Sequence, residues 1–162
     1  MHAKHIVIIT AVLALLGCST VNQSTTFNEA DFAPYESTGK AVILGHAFVH
    51  IEDGRIFKAG GLNVYLVPLT PYTDERAKII QSNKSPAPAD PRLEKYTKVV
   101  VADIDGDFEF DGLPAGSYVV YCQIQWSRPK LRLYGDIFVA GEAVVAQGET
   151  KHLVVTNVIP IQ

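Results

Sequence analysis

Hydrophobic and polar residues alternate along much of the chain, and the alternation is clearest in its second half. Two runs rich in aromatic and β-branched residues, 107–111 and 117–125, lie on either side of the turn sequence GLPAG. A side-chain period of two is typical of β-strands with one buried face and one solvated face. The pattern therefore predicts two strands here, with Phe108 and Phe110 facing the core.

The turn before the first of these runs sets an expected register. A four-residue loop at 103–106 predicts a hairpin in which four apolar side chains share the inner face. A two-residue loop at 105–106 would instead bring Asp103 against Phe108, so we expect the longer loop. The cross-strand pairs that it predicts are Val101 with Phe108, Val99 with Phe110, Val100 with Glu109 and Lys98 with Asp111.

The alternation continues after the GLPAG turn and in several other segments. Apolar residues at one parity predict a dry inner face, and glutamines at the other parity predict a solvated outer face. Inward positions are Val120, Cys122, Ile124 and Trp126, and outward positions are Gln123 and Gln125. Further predicted strands are 40–50, 62–68, 95–102, 131–139, 142–146 and 149–158.

Residues 70–94 interrupt the strands as an insertion. Thr73 is placed to cap a short helix over residues 74–81, and the SNKSPAPADP sequence that follows is predicted to be loop. Seven or eight short strands with one short helix predict an all-β fold, a Greek-key β-sandwich of the prealbumin-like or immunoglobulin-like kind. The insertion is the best candidate for a feature specific to one partner, because functional variation concentrates in long loops.

Residues 1–17 read as a processing segment rather than as part of the fold. Lys4 supplies a positive charge, and 6–16 is an apolar run too short to span a bilayer comfortably. The run ends in Leu-Leu-Gly-Cys and resembles a bacterial lipoprotein signal peptide. The resemblance implies that Cys18 becomes the first residue of the mature protein and carries acyl chains such as palmitate. An ordinary secretory signal with a chance cysteine is the alternative.

The remaining chain divides into a short polar segment and one domain. Residues 18–40 are predicted to be a tether from the membrane; the alternative is a strap that lies on the domain through Phe27, Phe32 and Tyr35. Residues 41–158 suffice for one domain with its own core. The net charge of −3 and the lack of a basic cluster argue against nucleic acid as a partner.

Two blocks of the predicted sandwich resemble a known family. Residues 59–67 read A-G-G-x-N-V-Y-L-V, and residues 102–120 read A-D-x-D-G-x-F-x-F-x-G-L-P-A-G-S-Y-V-V. They resemble the carboxypeptidase regulatory-like domain, a prealbumin-like seven-stranded Greek-key sandwich, and the insertion at 70–94 departs from its compact pattern. The resemblance implies an accessory, non-catalytic domain that stabilises, presents or binds.

The candidate chemistry is sparse. The Asp-x-Asp-x-Asp sequence at 103–107 suits a turn, and the spacing of an EF-hand calcium loop fails because Phe108 and Pro114 occupy its glycine and glutamate positions; a looser calcium site at this tip is the alternative. His46 and His50 are about 13 Å apart on a regular strand, too far to share an ion. No hydrolase, zinc or nucleotide motif occurs. We therefore predict no catalytic residue, no metal and no cofactor.

Cys122 is the only cysteine left once Cys18 is lipidated, so no intramolecular disulfide is possible. Its inward parity predicts a buried, unreactive thiol. Tyr65, Tyr121 and Tyr134 have outward positions, and exposed tyrosines suit stacking on sugars or anchoring a peptide. These three are the predicted ligand contacts.

The function hypothesis is a lipid-anchored protein of the cell envelope whose sandwich is a non-catalytic structural or protein-binding module. The membrane is then one partner, through the N-terminal lipid, and an envelope protein or glycan is the other. Ser19 after the cysteine favours the outer membrane if the source is a Gram-negative cell. A carbohydrate- or peptide-binding receptor component is the first alternative. A metal-dependent or hydrolytic enzyme with a site formed across strands is the second.

Overall fold

The computed structural model describes residues 20–82, 84–128 and 133–159. The predicted leader and Cys18 lie outside these ranges. No helix within them is long and apolar enough to cross a membrane. The strands are β1 (Thr20–Val21), β2 (Ala41–Ile51), β3 (Ile56–Lys58), β4 (Asn63–Pro68), β5 (Ser85–Pro86), β6 (Lys98–Val101), β7 (Asp107–Leu113), β8 (Gly116–Arg128), β9 (Leu133–Val145) and β10 (Thr150–Ile159); the helix is α1 (Pro71–Gln81), and three 3-10 turns span Glu29–Asp31, Ala33–Tyr35 and Pro91–Tyr96.

Two four-stranded sheets face each other. In the first sheet β2 is central; β10 runs parallel to it on one side, and β3 and β7 pair antiparallel with it on the other. In the second sheet the strand order is β6-β4-β8-β9, and all neighbours are antiparallel. The chain passes from one sheet to the other after β3, β6, β7 and β9. The predicted all-β sandwich is confirmed.

The core lies between the inner faces of the two sheets, where the alternation placed it. Phe108 and Phe110 are 6% and 2% exposed, and Cys122 and Ile124 are fully buried. Trp126 is half-buried and packs against the same cluster. The inward parity predicted for β7 and β8 is therefore confirmed.

The predicted hairpin of β6 with β7 is wrong. The two strands lie in different sheets, β6 on β4 and β7 on β2, so none of the four predicted pairs forms. Val100 packs against the core, whereas Val99 and Val101 are 49% and 64% exposed. Consecutive valines carry no parity signal, and only the assumed hairpin assigned them a face. The turn ends at Gly106, whose φ of 87° favours glycine.

Several element boundaries also differ from the prediction, most of all those of β9 and α1. The segments 131–139 and 142–146 are joined in one strand, β9, which pairs with β8 along its whole length. The helix begins at Pro71 instead of residue 74, because Thr70 is its N-cap and Thr73 completes a capping box from the third helical position. Proline at the first helical position is typical of helix starts.

Residues 20–40 lie on the domain as a strap, the arrangement that we considered as the alternative to a tether. β1 pairs in parallel with β5. Phe32 is fully buried, and its ring stacks on Phe27 at 4.6 Å and contacts Tyr96 at 4.7 Å. Together, the strap, α1 and the 3-10 turn at Pro91–Tyr96 form a second apolar cluster on the outer face of the second sheet. We call these three segments the cover.

Candidate functional site

Two of the three predicted ligand-contact tyrosines lie side by side on the outer face of the second sheet. The β4–β8 register places Tyr65 directly opposite Tyr121. Their rings stack with centroids 5.1 Å apart and planes 11° apart, and both side chains are half-buried. Burial raises the pKa of the Tyr121 phenol, and the neighbouring Tyr65 raises it further. The Tyr121 phenol therefore stays uncharged at neutral pH.

The outer face continues from this pair as a row of amides, a carboxylate and further aromatic rings. Directly opposite residues of an antiparallel pair share one face. The β8–β9 register therefore places Phe138 beside Gln123, Asp136 beside Gln125 and Tyr134 beside Ser127. We call this surface the outer track, and its residues are Asn63, Tyr65, Tyr121, Gln123, Gln125, Tyr134, Asp136 and Phe138.

The outer track is open to solvent over most of its length. Phe138 is 40% exposed and Tyr134 is 84% exposed, and the amides of the track are also exposed. Tyr134 lies four residues from Phe138 along β9, a distance of about 13 Å at ~3.3 Å per residue. The structure thus places Tyr134 on the same face as the tyrosine pair but at the far end, and it does not bring all three tyrosines together.

A cleft opens at the end of the track where the tyrosine pair meets the cover. It lies between α1 and the second sheet and has a volume of about 360 Å³. This is near the lower end of the ~300–1,000 Å³ typical of small-molecule sites. Tyr121 and Phe138 belong to both the track and the cleft. The other apolar side chains that line it include Val67, Ala77, Ile80, Leu93, Val119 and Ala140.

The outer face of the first sheet carries a second, more open groove. It has a volume of about 740 Å³ and is lined in part by His46, His152, Asp107 and Glu109. His46 Nδ1 lies 2.6 Å from Asp107 Oδ1. The groove lining contains no serine, threonine, cysteine or lysine that this pair would activate as a nucleophile.

The histidines and acidic residues singled out in the sequence have structural partners. Phe48 separates His46 from His50, with ring centroids 5.1 and 5.6 Å away. Asp103 accepts the N–H groups of residues 105 and 107, and Asp105 pairs with Lys58 at 2.6 Å. Asp103 therefore stabilises the turn, and Asp105 forms an ion pair with Lys58, which agrees with the turn predicted from the sequence. Over the described parts of the chain, no three His, Cys, Asp or Glu side chains are grouped to hold a metal ion.

Cys122 lies in the middle of the core and is a free thiol. Burial raises the pKa of the Cys122 thiol to about 11. A thiolate is the reactive form of cysteine, so this residue is protected both by the surrounding protein and by its protonation. The predicted buried thiol is confirmed.

Comparison with known proteins supports the fold. No protein-family model matches the chain, and no curated protein matches it. Among solved structures, the chain is similar to a Pseudomonas aeruginosa protein described as a "putative carbohydrate binding protein (PA1324)", with a TM-score of 0.69 and 22% identity over 82% of this chain and 99% of that one. An (S)-allantoin synthase aligns with a TM-score of only 0.30 and 14% identity, over 76% of this chain and 42% of that one, and carries no argument.

Sequence reasoning found the three tyrosines of the track but missed Phe138, Asp136 and the cleft. The outward parity of Gln123 and Gln125 was visible in β8. The period of two in β9 also places Asp136 and Phe138 on the face of Tyr134, a signal that was present but not used. The cleft has no local signal, because α1 and β8 reach it from distant parts of the sequence.

Proposed function

We propose that this chain is a carbohydrate-binding module and that its binding surface is the outer track. The observation that carries the proposal is the stacked Tyr65–Tyr121 pair beside exposed amides on a solvent-facing sheet. A sugar ring has an apolar face that packs on an aromatic ring and hydroxyl groups that need hydrogen-bond donors and acceptors at its edge. Amide and carboxylate side chains provide both.

The dimensions of the track suit an oligosaccharide. From the tyrosine pair to the level of Tyr134 the sheet extends six residues along β8, from Tyr121 to Ser127, which is about 20 Å. That length accommodates several sugar units in a row. The similarity to a structure whose description names carbohydrate binding is consistent with the proposal, although at 22% identity it bears on fold alone.

The test is a binding measurement with short soluble oligosaccharides, such as maltotriose and chitotriose, by titration calorimetry. Tyr65→Ala and Phe138→Ala each remove an aromatic face from the track, and we expect each to weaken binding by about tenfold or more. Phe48→Ala is the matched control, because it removes a half-buried aromatic ring from the outer face of the other sheet. An equal loss in the control, or the absence of binding to every sugar tested, would contradict the proposal.

We further propose that the module is anchored in the cell envelope by a lipid on Cys18. The support is the sequence alone, in which an apolar run ends in Leu-Leu-Gly-Cys. The same lipid would hold the strap close to the membrane, since β1 starts two residues later at Thr20. A lipid on Cys18 blocks its sulfur as a thioether, and a count of reactive thiols therefore detects it.

A further inference from the structure

We propose that the cleft between α1 and the second sheet holds the hydrocarbon chain of a lipid-linked sugar, so that the ligand of this protein is a glycolipid. The saccharide lies on the outer track, and its alkyl or acyl chain enters the cleft. This inference rests on the carbohydrate binding proposed above. It identifies the class of ligand, which the track alone leaves open.

The first argument is that the cleft is mostly apolar and that Thr73 and Arg76, two of its few polar side chains, already have partners within the protein; Lys84 lies at its exposed rim. Thr73 Oγ1 donates to the carbonyl of Pro68 at 2.6 Å. Arg76 Nη1 donates to Gln23 Oε1 at 2.7 Å and to the carbonyl of Ala87 at 2.9 Å. A polar group entering the cleft would lose its water without gaining these partners, whereas a hydrocarbon chain loses nothing and buries apolar area.

The second argument is that the cleft and the track form one continuous surface. Tyr121 and Phe138 line the cleft, and each lies directly opposite a track residue outside the cleft: Tyr121 opposite Tyr65, Phe138 opposite Gln123. A ligand with a sugar at one end and a hydrocarbon chain at the other reaches both regions without a spacer. A purely polar oligosaccharide leaves the apolar cleft filled with water.

The third argument is that the wall of the cleft is built before any ligand arrives. The capping box of Thr70 and Thr73 fixes the start of α1. The Glu75 carboxylate ties the helix to the strap through the N–H groups of Ser24 and Thr25, at 2.8 and 2.7 Å. Because the cleft is preformed, the protein loses little conformational entropy when a ligand binds there.

The experiment compares methyl, hexyl and octyl β-maltoside below their critical micelle concentrations. The protein is the chain from residue 18 onward with Cys18→Ser, which includes every described residue and carries no lipid of its own. We expect affinity to rise by about fourfold for each added CH₂ until the cleft is filled. A flat series in which methyl maltoside already binds would overturn the glycolipid inference and leave carbohydrate binding intact.

Two variants locate the effect. Ala77→Phe fills the cleft from α1, and Ile80→Asn places an amide in it; both residues are half-buried in its wall. Each is expected to abolish the chain-length dependence while methyl maltoside binds as before. Persistence of the chain-length dependence in both variants would place the hydrocarbon chain elsewhere and overturn the inference.

A final comparison, with 1-octanol, distinguishes failure of the glycolipid inference from failure of the carbohydrate binding on which it rests. 1-Octanol carries the same chain without the sugar. If octyl maltoside binds no more tightly than 1-octanol, the track contributes nothing, and both carbohydrate binding and the glycolipid inference fail. Tighter binding of octyl maltoside than of either 1-octanol or methyl maltoside supports both.

Discussion

Close packing at one glycine shows how tightly the centre of the first sheet is built. Gly45 lies opposite Phe108 in the β2–β7 register, and the Phe108 ring covers it. A Cβ at residue 45 would lie 2.0 Å from the ring. Phe108 is only 6% exposed and its ring lies 5.8 Å from that of Phe110, so it has little room to move. The absence of a side chain at residue 45 is what allows the ring to enter the core.

We therefore predict that Gly45→Ala destabilises the protein by about 1–3 kcal/mol, the usual cost of forcing an extra group into a packed core. Urea denaturation gives the free energy of unfolding. Phe108→Leu in the Gly45→Ala background should cost less than Phe108→Leu in the natural chain, because the smaller side chain relieves the clash. Additive effects of the two changes would show that the ring and the glycine are not coupled.

Residue-level prediction succeeded where the two faces of a strand differ in chemistry. Cys122 and Ile124 alternate with glutamines, so their burial followed from the sequence. Val99, Val100 and Val101 give no such contrast, and the face of β6 was assigned wrongly through an assumed hairpin. The partner of β6 is β4, more than 30 residues away in sequence across the insertion. No local property of β6 specifies that pairing.

At the scale of elements, the contact between the strap and α1 depends on pH. The Glu75 carboxylate accepts hydrogen bonds from the Ser24 N–H, the Ser24 hydroxyl and the Thr25 N–H. These bonds, with that of the Ser24 N–H largest, lower the pKa of Glu75 from 4.5 to about 2. Because the pKa is lower in the folded than in the unfolded protein, the contribution of Glu75 to stability is complete above about pH 4.5. It is lost as the pH falls toward 2.

We predict that the strap loosens from α1 between about pH 4.5 and pH 2, before or together with the unfolding of the sandwich. Hydrogen exchange at the amides of Ser24 and Thr25 measures this loosening. Glu75→Gln keeps an acceptor oxygen but does not titrate in this range. In that variant the exchange rates should show a weaker dependence on pH. An unchanged pH profile would contradict the assignment to Glu75.

The strap is ordered by its aromatic residues, although its overall composition is polar. Its polar residues and the proline at position 34 suggested a tether, yet Phe27 and Phe32 complete an aromatic cluster with Tyr72 and Tyr96. Tyr72 lies in the insertion and Tyr96 directly after it, in the 3-10 turn at Pro91–Tyr96, so the strap and this region bury each other's aromatic rings. A sequence that lacks periodicity still orders when its few large apolar residues find a common site.

The candidate site emerges only at the scale of the whole molecule. The tyrosine pair needs the β4–β8 register, and the polar row needs the β8–β9 register. The cleft needs the insertion to fold back over the second sheet. The sequence was sufficient for the fold class and for the outward direction of the tyrosines. Which strands lie next to each other is decided by pairing between distant parts of the sequence. That pairing brings the outward residues together on one surface.

The two cysteines of the chain provide a test of the whole molecule, one in the core and one at its predicted anchor. Burial raises the pKa of Cys122 to about 11, and the side chain is fully buried, so the native fold keeps this thiol from reagents near pH 8. A lipid on Cys18 would block the other sulfur permanently. Protein extracted from membranes in mild detergent should therefore show no reactive thiol while folded and one after unfolding in denaturant.

A control variant assigns each thiol in this count. In Cys122→Ala, the lipidated protein should show no thiol in either the folded or the unfolded state. One reactive thiol in the folded natural chain and two after unfolding would mean that Cys18 is free. That result would contradict the proposed lipid anchor but not the sandwich fold. A reagent reaches a residue between the two sheets only when the sheets separate. Rapid labelling of Cys122 in the native protein, at a rate that does not depend on denaturant, would therefore contradict the packed core.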